Sequence, residues 1–163
     1  MSGGRLFIEA DCVLMDHADI NHPEELIKEG YYAMRIPEWR MISAVRDLTR
    51  EIPELEVYIV CHVPLSMESA KAELAEWFGR YLPDASALRF LPLEEYFGSY
   101  IALQKGDVLI SADVRTLAVF AYGGGACIGV DTDRDAVPGI RCVSTWEHEK
   151  LIADQLRRIV EGR

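Results

Sequence analysis

Arg5-Leu6-Phe7-Ile8-Glu9-Ala10, running into Asp11-Cys12-Val13-Leu14, is the stretch from which the rest of the chain is read. Residues 5–10 have the length and apolar character of a strand, and they end on acidic residues. A second run, Glu56 to Cys61, reads Val57-Tyr58-Ile59-Val60-Cys61, nearly continuous apolar as in a strand covered on both faces. Further strands are predicted at Ala87 to Leu91, Asp107 to Ser111, Ala126 to Val130 and, shorter, Arg141 to Val143. Stretches of helical period separate these runs, and that alternation predicts βαβ units. The expected architecture is therefore α/β: a Rossmann-like, doubly wound parallel sheet.

The helical stretches carry stripes that suit core packing. After Pro37, a good first-turn residue, Met41, Val45, Leu48 and Ile52 recur at spacings of three and four, up to Pro53. A second helix is predicted from an N-cap near Ser66, with Ala70, Leu74, Trp77, Phe78 and Tyr81 on one side. A last one is predicted from near Thr145, presenting Leu151, Ile152, Leu156, Ile159 and Val160 to the core.

With 163 residues, half of them apolar, the chain suits one domain spanning 1–163 with a real core. Its formal charge of −10 and pI near 4.8 argue against a general nucleic-acid binder and against docking on anionic membranes. A small phosphorylated ligand stays open, because backbone N–H groups and a bound cation hold phosphate without net basicity. No apolar run approaches the ~20 residues that span a bilayer, and Met1 to Arg5 carry no signal-type apolar region. The expected location is cytoplasmic. Cys12, Cys61, Cys127 and Cys142 form no CxxC pair and are expected to be reduced; Cys12, in a loop, is the one outside an apolar run.

Ligands of open parallel sheets bind beyond the carboxyl ends of the strands, so residues there are the ones to read for chemistry. They are Glu9, Asp11 and Cys12 after the first strand, Cys61, His62 and Val63 after the second, and Ser111, Ala112 and Asp113 after the fourth. Residues 15–36, which include Asp16, His17, Asp19, His22, Glu24 and Glu25, fit neither period and stand where a small helical cap would be inserted.

In order and spacing, these residues resemble the 5′(3′)-deoxyribonucleotidases of the haloacid dehalogenase (HAD) superfamily over most of the chain. Ile8-Glu9-Ala10-Asp11-Cys12-Val13-Leu14 stands where that family has Asp-x-Asp-Gly-Val-Leu. Gly30-Tyr31-Tyr32 with Pro37 resembles its cap turn, Val57 to Leu65 its second strand and hydroxyl-bearing loop, Gly106 to Ile110 the strand that ends in paired aspartates, and Tyr122 to Gly129 its glycine-rich loop. The resemblance implies an Asp nucleophile, an acid/base Asp two residues on, a hydroxyl and a Lys on the phosphoryl oxygens, and Mg²⁺. Here the nucleophile position holds Glu9, the acid/base position Asp11, and the following glycine is Cys12. The hydroxyl position holds His62, the paired aspartates read Ser111-Ala112 with Asp113 one residue late, and the lysine position falls on Phe97, with Lys71 and Lys105 the nearest alternatives.

Several readings remain open on the residues alone. Glu9 and Asp11 are either cleft groups or ordinary loop carboxylates. His62 either caps a turn or serves a site, and Asp113 either caps the helix from Val114 or binds metal. Gly123 to Gly125 either make a tight turn or cradle phosphate. Glu9, Asp11 and Asp113 with His62 would suit Zn²⁺ or Mn²⁺ better than an all-oxygen Mg²⁺ site. Cys12, His62 and Ser111 are the expected ligand-binding residues, and Glu9 and Asp11 the catalytic pair if activity persists. The expected function is a nucleotidase-like domain that has lost phosphatase activity and binds a small phosphorylated molecule or a protein. The alternatives are a metal-dependent phosphomonoesterase with altered residues and a structural subunit; a homodimer is compatible with each.

Overall fold

The computed structural model describes residues 4–16, 28–63, 68–85, 87–92 and 104–162. In chain order these form β1 (Arg5–Glu9), α1 (Trp39–Glu51), β2 (Glu56–Val63), α2 (Glu68–Tyr81), β3 (Ala87–Pro92), β4 (Val108–Ser111), α3 (Val114–Tyr122), β5 (Ala126–Val130), β6 (Arg141–Val143) and α4 (Glu149–Val160). The strands make one sheet, ordered β3-β2-β1-β4-β5-β6, with every pairing parallel. This is a doubly wound α/β sheet whose order reverses between β1 and β4, the place where such folds open a crevice.

Alternation along the strands divides the core in two. Leu6 and Ile8 of β1, Val57, Ile59 and Cys61 of β2, and Val108 and Ile110 of β4 face α1, α2 and α4 in one cluster. Phe7, Val60, Leu109 and Cys127 face the other way and meet Leu117 and Phe120 of α3. The residues expected to face the core from α2 do so at Ala70, Leu74, Trp77 and Phe78. In α4 the expectation needs correcting: the helix is capped by His148 rather than starting near Thr145, and Leu151 is 48% exposed. Ser144 to Glu147 form a turn closed by the Glu147 N–H on the Ser144 carbonyl, so the buried stripe is Ile152, Ala153 and Leu156. The predicted cap at Ser66, the lysine-position residue Phe97 and residues 17–27 of the insertion lie outside the described residues.

The amino and carboxyl edges of the sheet are built differently. At the amino edge Asp107, 3% exposed, accepts from Arg5 Nε at 2.9 Å, Arg5 Nη2 at 2.5 Å and the Gln104 N–H at 2.7 Å, clamping β1 to the start of β4. The glycine triplet is also at this edge, as the turn from α3 into β5. A Cβ on Gly125 would sit 2.1 Å from the Phe120 ring, so close packing explains that glycine and a phosphate cradle at the opposite edge does not. None of the described helices is long and apolar enough to cross a membrane.

Candidate functional site

At the carboxyl edge, strand alternation decides which candidate residues meet. β2 runs two residues further than its apolar run predicts, so His62 belongs to the strand and not to the loop after it. Val60 and Leu109 face α3, so His62 and Ser111, each two residues on, point to that same face, as does Glu9 after Phe7. The three side chains converge. Glu9, only 6% exposed, accepts on Oε2 from the Ser111 hydroxyl, and His62 Nε2 lies 3.3 Å from its Oε1. Ser111 is fully buried, and its Oγ accepts in turn from the Asp113 N–H at 2.9 Å.

Asp113 does not join this network through its carboxylate. It caps α3: Oδ1 accepts from the Arg115 N–H at 3.4 Å, while Oδ2 accepts from the Thr116 N–H at 3.3 Å and the Thr116 hydroxyl at 2.7 Å. Burial pushes the Asp113 carboxyl up, but the bonds from Thr116 and Arg115 outweigh it and hold the group below its ordinary value. Asp11 bridges to Met15 in the turn after β1, and its charge raises the pKa of three groups around it, Cys12, Cys61 and Tyr32. In each of these burial is the larger cause; Cys12 is pushed up to about 11, with Glu9, Asp113 and Asp16 adding to Asp11. Cys12 also takes a left-handed backbone, φ 63°, where the resemblance implies glycine.

Beside this network opens a cleft of about 450 Å³, lined by Cys12, Ala112, Val130 and Asp131 from the strand ends and by Asp16 and Ile36 from the insertion, among others. The insertion is closed at its base: the Asp16 N–H donates to the Ile36 carbonyl at 2.8 Å, the Ile36 N–H to Asp16 Oδ1 at 3.0 Å, and the Glu38 N–H to the Leu14 carbonyl at 2.9 Å. Its described part, residues 28–36, is built of turns and held by α2. Glu73 accepts from the N–H groups of Gly30 at 2.6 Å, Tyr32 at 3.0 Å and Ala33 at 3.3 Å, and Trp77 Nε1 donates to the Arg35 carbonyl at 3.0 Å. Gly30 meets this clamp at φ 85°, which favours glycine.

The sequence did not single out Glu38, Glu73 or Asp131, and it named Thr145 only as a helix start. Asp131 was within reach of the same rule that found Asp11, since it directly follows β5. Its left-handed backbone, φ 52°, lets the carboxylate accept from the Thr145 N–H at 2.9 Å and the Thr145 hydroxyl at 2.5 Å.

The fold and the crevice at its reversal point define the class: this is a doubly wound, Rossmann-like α/β domain. The crystal structure of D,D-heptose 1,7-bisphosphate phosphatase from Burkholderia thailandensis matches with a TM-score of 0.65, covering 94% of this chain and 97% of that one at 10% identity. No protein-family model and no curated protein matches the sequence.

The Mg²⁺ that the sequence resemblance implies asks for oxygen donors in near-octahedral array. The residues present do not fit it. Glu9 accepts from Ser111 on one oxygen and has His62 Nε2 3.3 Å from the other, Asp113 spends its carboxylate on α3, and no group of three His, Cys, Asp or Glu among the described residues is placed to hold a metal ion. The two lysines nearest the expected lysine position are placed as follows. Lys71 on α2 pairs with Glu68 at 3.0 Å, and Lys105 precedes β4 at the amino edge.

Proposed function

We propose that the chain is a cytoplasmic HAD-like domain, related to the 5′(3′)-deoxyribonucleotidases, that no longer transfers phosphoryl groups and acts by binding. Residues 15–36 serve as the cap of this single domain. The observation that carries the reading is the state of Glu9. An attacking carboxylate needs a free oxygen ~3–3.5 Å from phosphorus. Glu9 is 6% exposed, with one oxygen on Ser111 and the other facing His62. Ser111-Ala112 in place of paired aspartates, the capping role of Asp113 and the placement of Lys71 and Lys105 support the same reading.

The test is phosphate release from a panel of deoxy- and ribonucleoside monophosphates with Mg²⁺, Mn²⁺ or Zn²⁺, using Asp11→Asn as the control. The expected result is no turnover above background in protein that melts cooperatively. Turnover that disappears in Asp11→Asn overturns the reading and assigns the chemistry to Asp11 and Glu9.

A further inference from the structure

Among the described residues the two faces of the sheet are covered unequally. α1, α2 and α4 pack on the face of Leu6, Ile8 and Ile59, whereas α3 is the one described helix on the face of Phe7, Val60 and Leu109. α3 turns Thr116, Leu117 and Phe120 inward. With 3.6 residues per turn, its outward arc falls on Val114, Ala118, Tyr122, Arg115 and Val119, and all of these are exposed.

A surface helix ordinarily carries charge on its outward side. α1 does so with Arg50 and Glu51, α2 with Glu76 and Arg80, and α4 with Lys150 and Arg158. On α3 the outward residues are apolar apart from Arg115: Val114 is 37% exposed, Val119 47% and Tyr122 97%, with Ala118 among them. Gly123 and Gly124, exposed and uncharged, continue this surface past the end of the helix. Contiguous apolar surface rimmed by polar residues marks an interaction site.

The arrangement of the arc selects its occupant. α3 runs nine residues, and Ala118 is its midpoint. A two-fold axis through Ala118 lays a second α3 antiparallel on the first. It sets Val114 against Tyr122 at both ends and Ala118 against itself in the middle. The large ring then lies on the smaller side chain, and the central methyl groups let the helix axes approach to the short end of the usual ~8–10 Å. Such self-complementarity is what a two-fold contact requires.

Charge agrees with this pairing. The last turn of α3 holds no basic residue to face the negative end of the helix dipole. In the antiparallel pair, Arg115, whose side chain is 76% exposed, comes beside the partner's last turn and Tyr122 ring. Helix dipole and ring face both favour a cation there. The arc itself carries no acid, so two chains of formal charge −10 meet on it without opposing carboxylates.

We propose that α3 is the docking face for a second copy of this chain, the two helices packing antiparallel about Ala118. The pairing is independent of whether the cleft turns over phosphate. The arc is small beside the ~20–30 residues a side of a standard interface, so the dimer is weak, with a Kd on the order of 100 µM.

The test is sedimentation equilibrium of the full chain from about 10 µM to about 1 mM, a range that brackets such a Kd. The mean mass should rise from the 18.4 kDa of one chain toward twice that value. Val119→Asp, at an exposed position, should stay at the mass of one chain throughout and keep its melting temperature. Orientation is read from Ala118→Cys under mild oxidation, because two residues on the axis of so close a helix pair fall within the ~4.4–6.8 Å Cα reach of a disulfide. It should cross-link about tenfold faster than Ala72→Cys, which is exposed on α2 at the other face of the sheet. A mass that stays at one chain in the unsubstituted protein, association that Val119→Asp leaves intact, or equal cross-linking by the two cysteine variants would overturn the proposal.

Discussion

Cys12 holds a left-handed backbone that costs a residue with a Cβ ~1–2 kcal/mol, and it does so on the wall of the cleft. Its thiol is partly buried, and burial with the carboxylates of Asp11, Glu9, Asp113 and Asp16 pushes it up to about 11. The thiolate is the nucleophile, so Cys12 should resist iodoacetamide at pH 7.5, and its rate should climb roughly tenfold per pH unit toward 11. Peptide mapping of the alkylated sites reads this directly; rapid modification of Cys12 at neutral pH would contradict it. Glu9, Asp11, His62 and Ser111 were legible as residues because they follow apolar runs. Their convergence was not. It depends on β2 continuing through a polar histidine, which puts His62 in phase with Val60 and hence on the Glu9 and Ser111 face.

Among elements, the four central strands were readable because burial on both faces makes them nearly continuous apolar runs, whereas the edge strands β3 and β6 are only partly buried; β4, β5 and β6 share their carboxyl ends with the prediction. The beginning of α4 was not, since Thr145 suits an N-cap by type but is taken by Asp131 across a loop. The clamp from α2 to the insertion was equally hidden. Glu73 is an unremarked acid on a helix, and only the tertiary fold brings it to the N–H groups of Gly30, Tyr32 and Ala33. Because the acceptor is a carboxylate, Glu73→Ala should destabilise the fold by about 2 kcal/mol in urea unfolding. Hydrogen exchange should quicken at Gly30 and Tyr32 while the amides of β1 and β2 keep their protection. Unchanged exchange at residues 30–33 would show that the turn is held by something else.

For the molecule as a whole, the thiols set a limit on the alkaline side. Burial raises Cys127 to about 11 and Cys61 well above its ordinary value, with Cys12 raised alongside them. An unfolded chain loses those protons near pH 8.5–9, so the native state binds more protons above that point. Stability should therefore be fully present below pH ~8.5 and decline as pH rises toward 11. Urea midpoints between pH 7 and 10.5 test this. Cys127→Ala, which removes a group raised by burial alone, should give a shallower decline, and an identical slope would remove the thiols as the cause. At this same scale, the closed base of the insertion separates two kinds of change. Met15 pairs with Pro37, and the bonds between Asp16 and Ile36 join the two ends before the chain departs and after it returns. Residues 30–35 nevertheless belong to the frame, because Tyr31 and Tyr32 lie in the main core and Glu73 and Trp77 of α2 hold the turn. Variation that leaves the frame intact is therefore confined to what lies between the closed base and that turn.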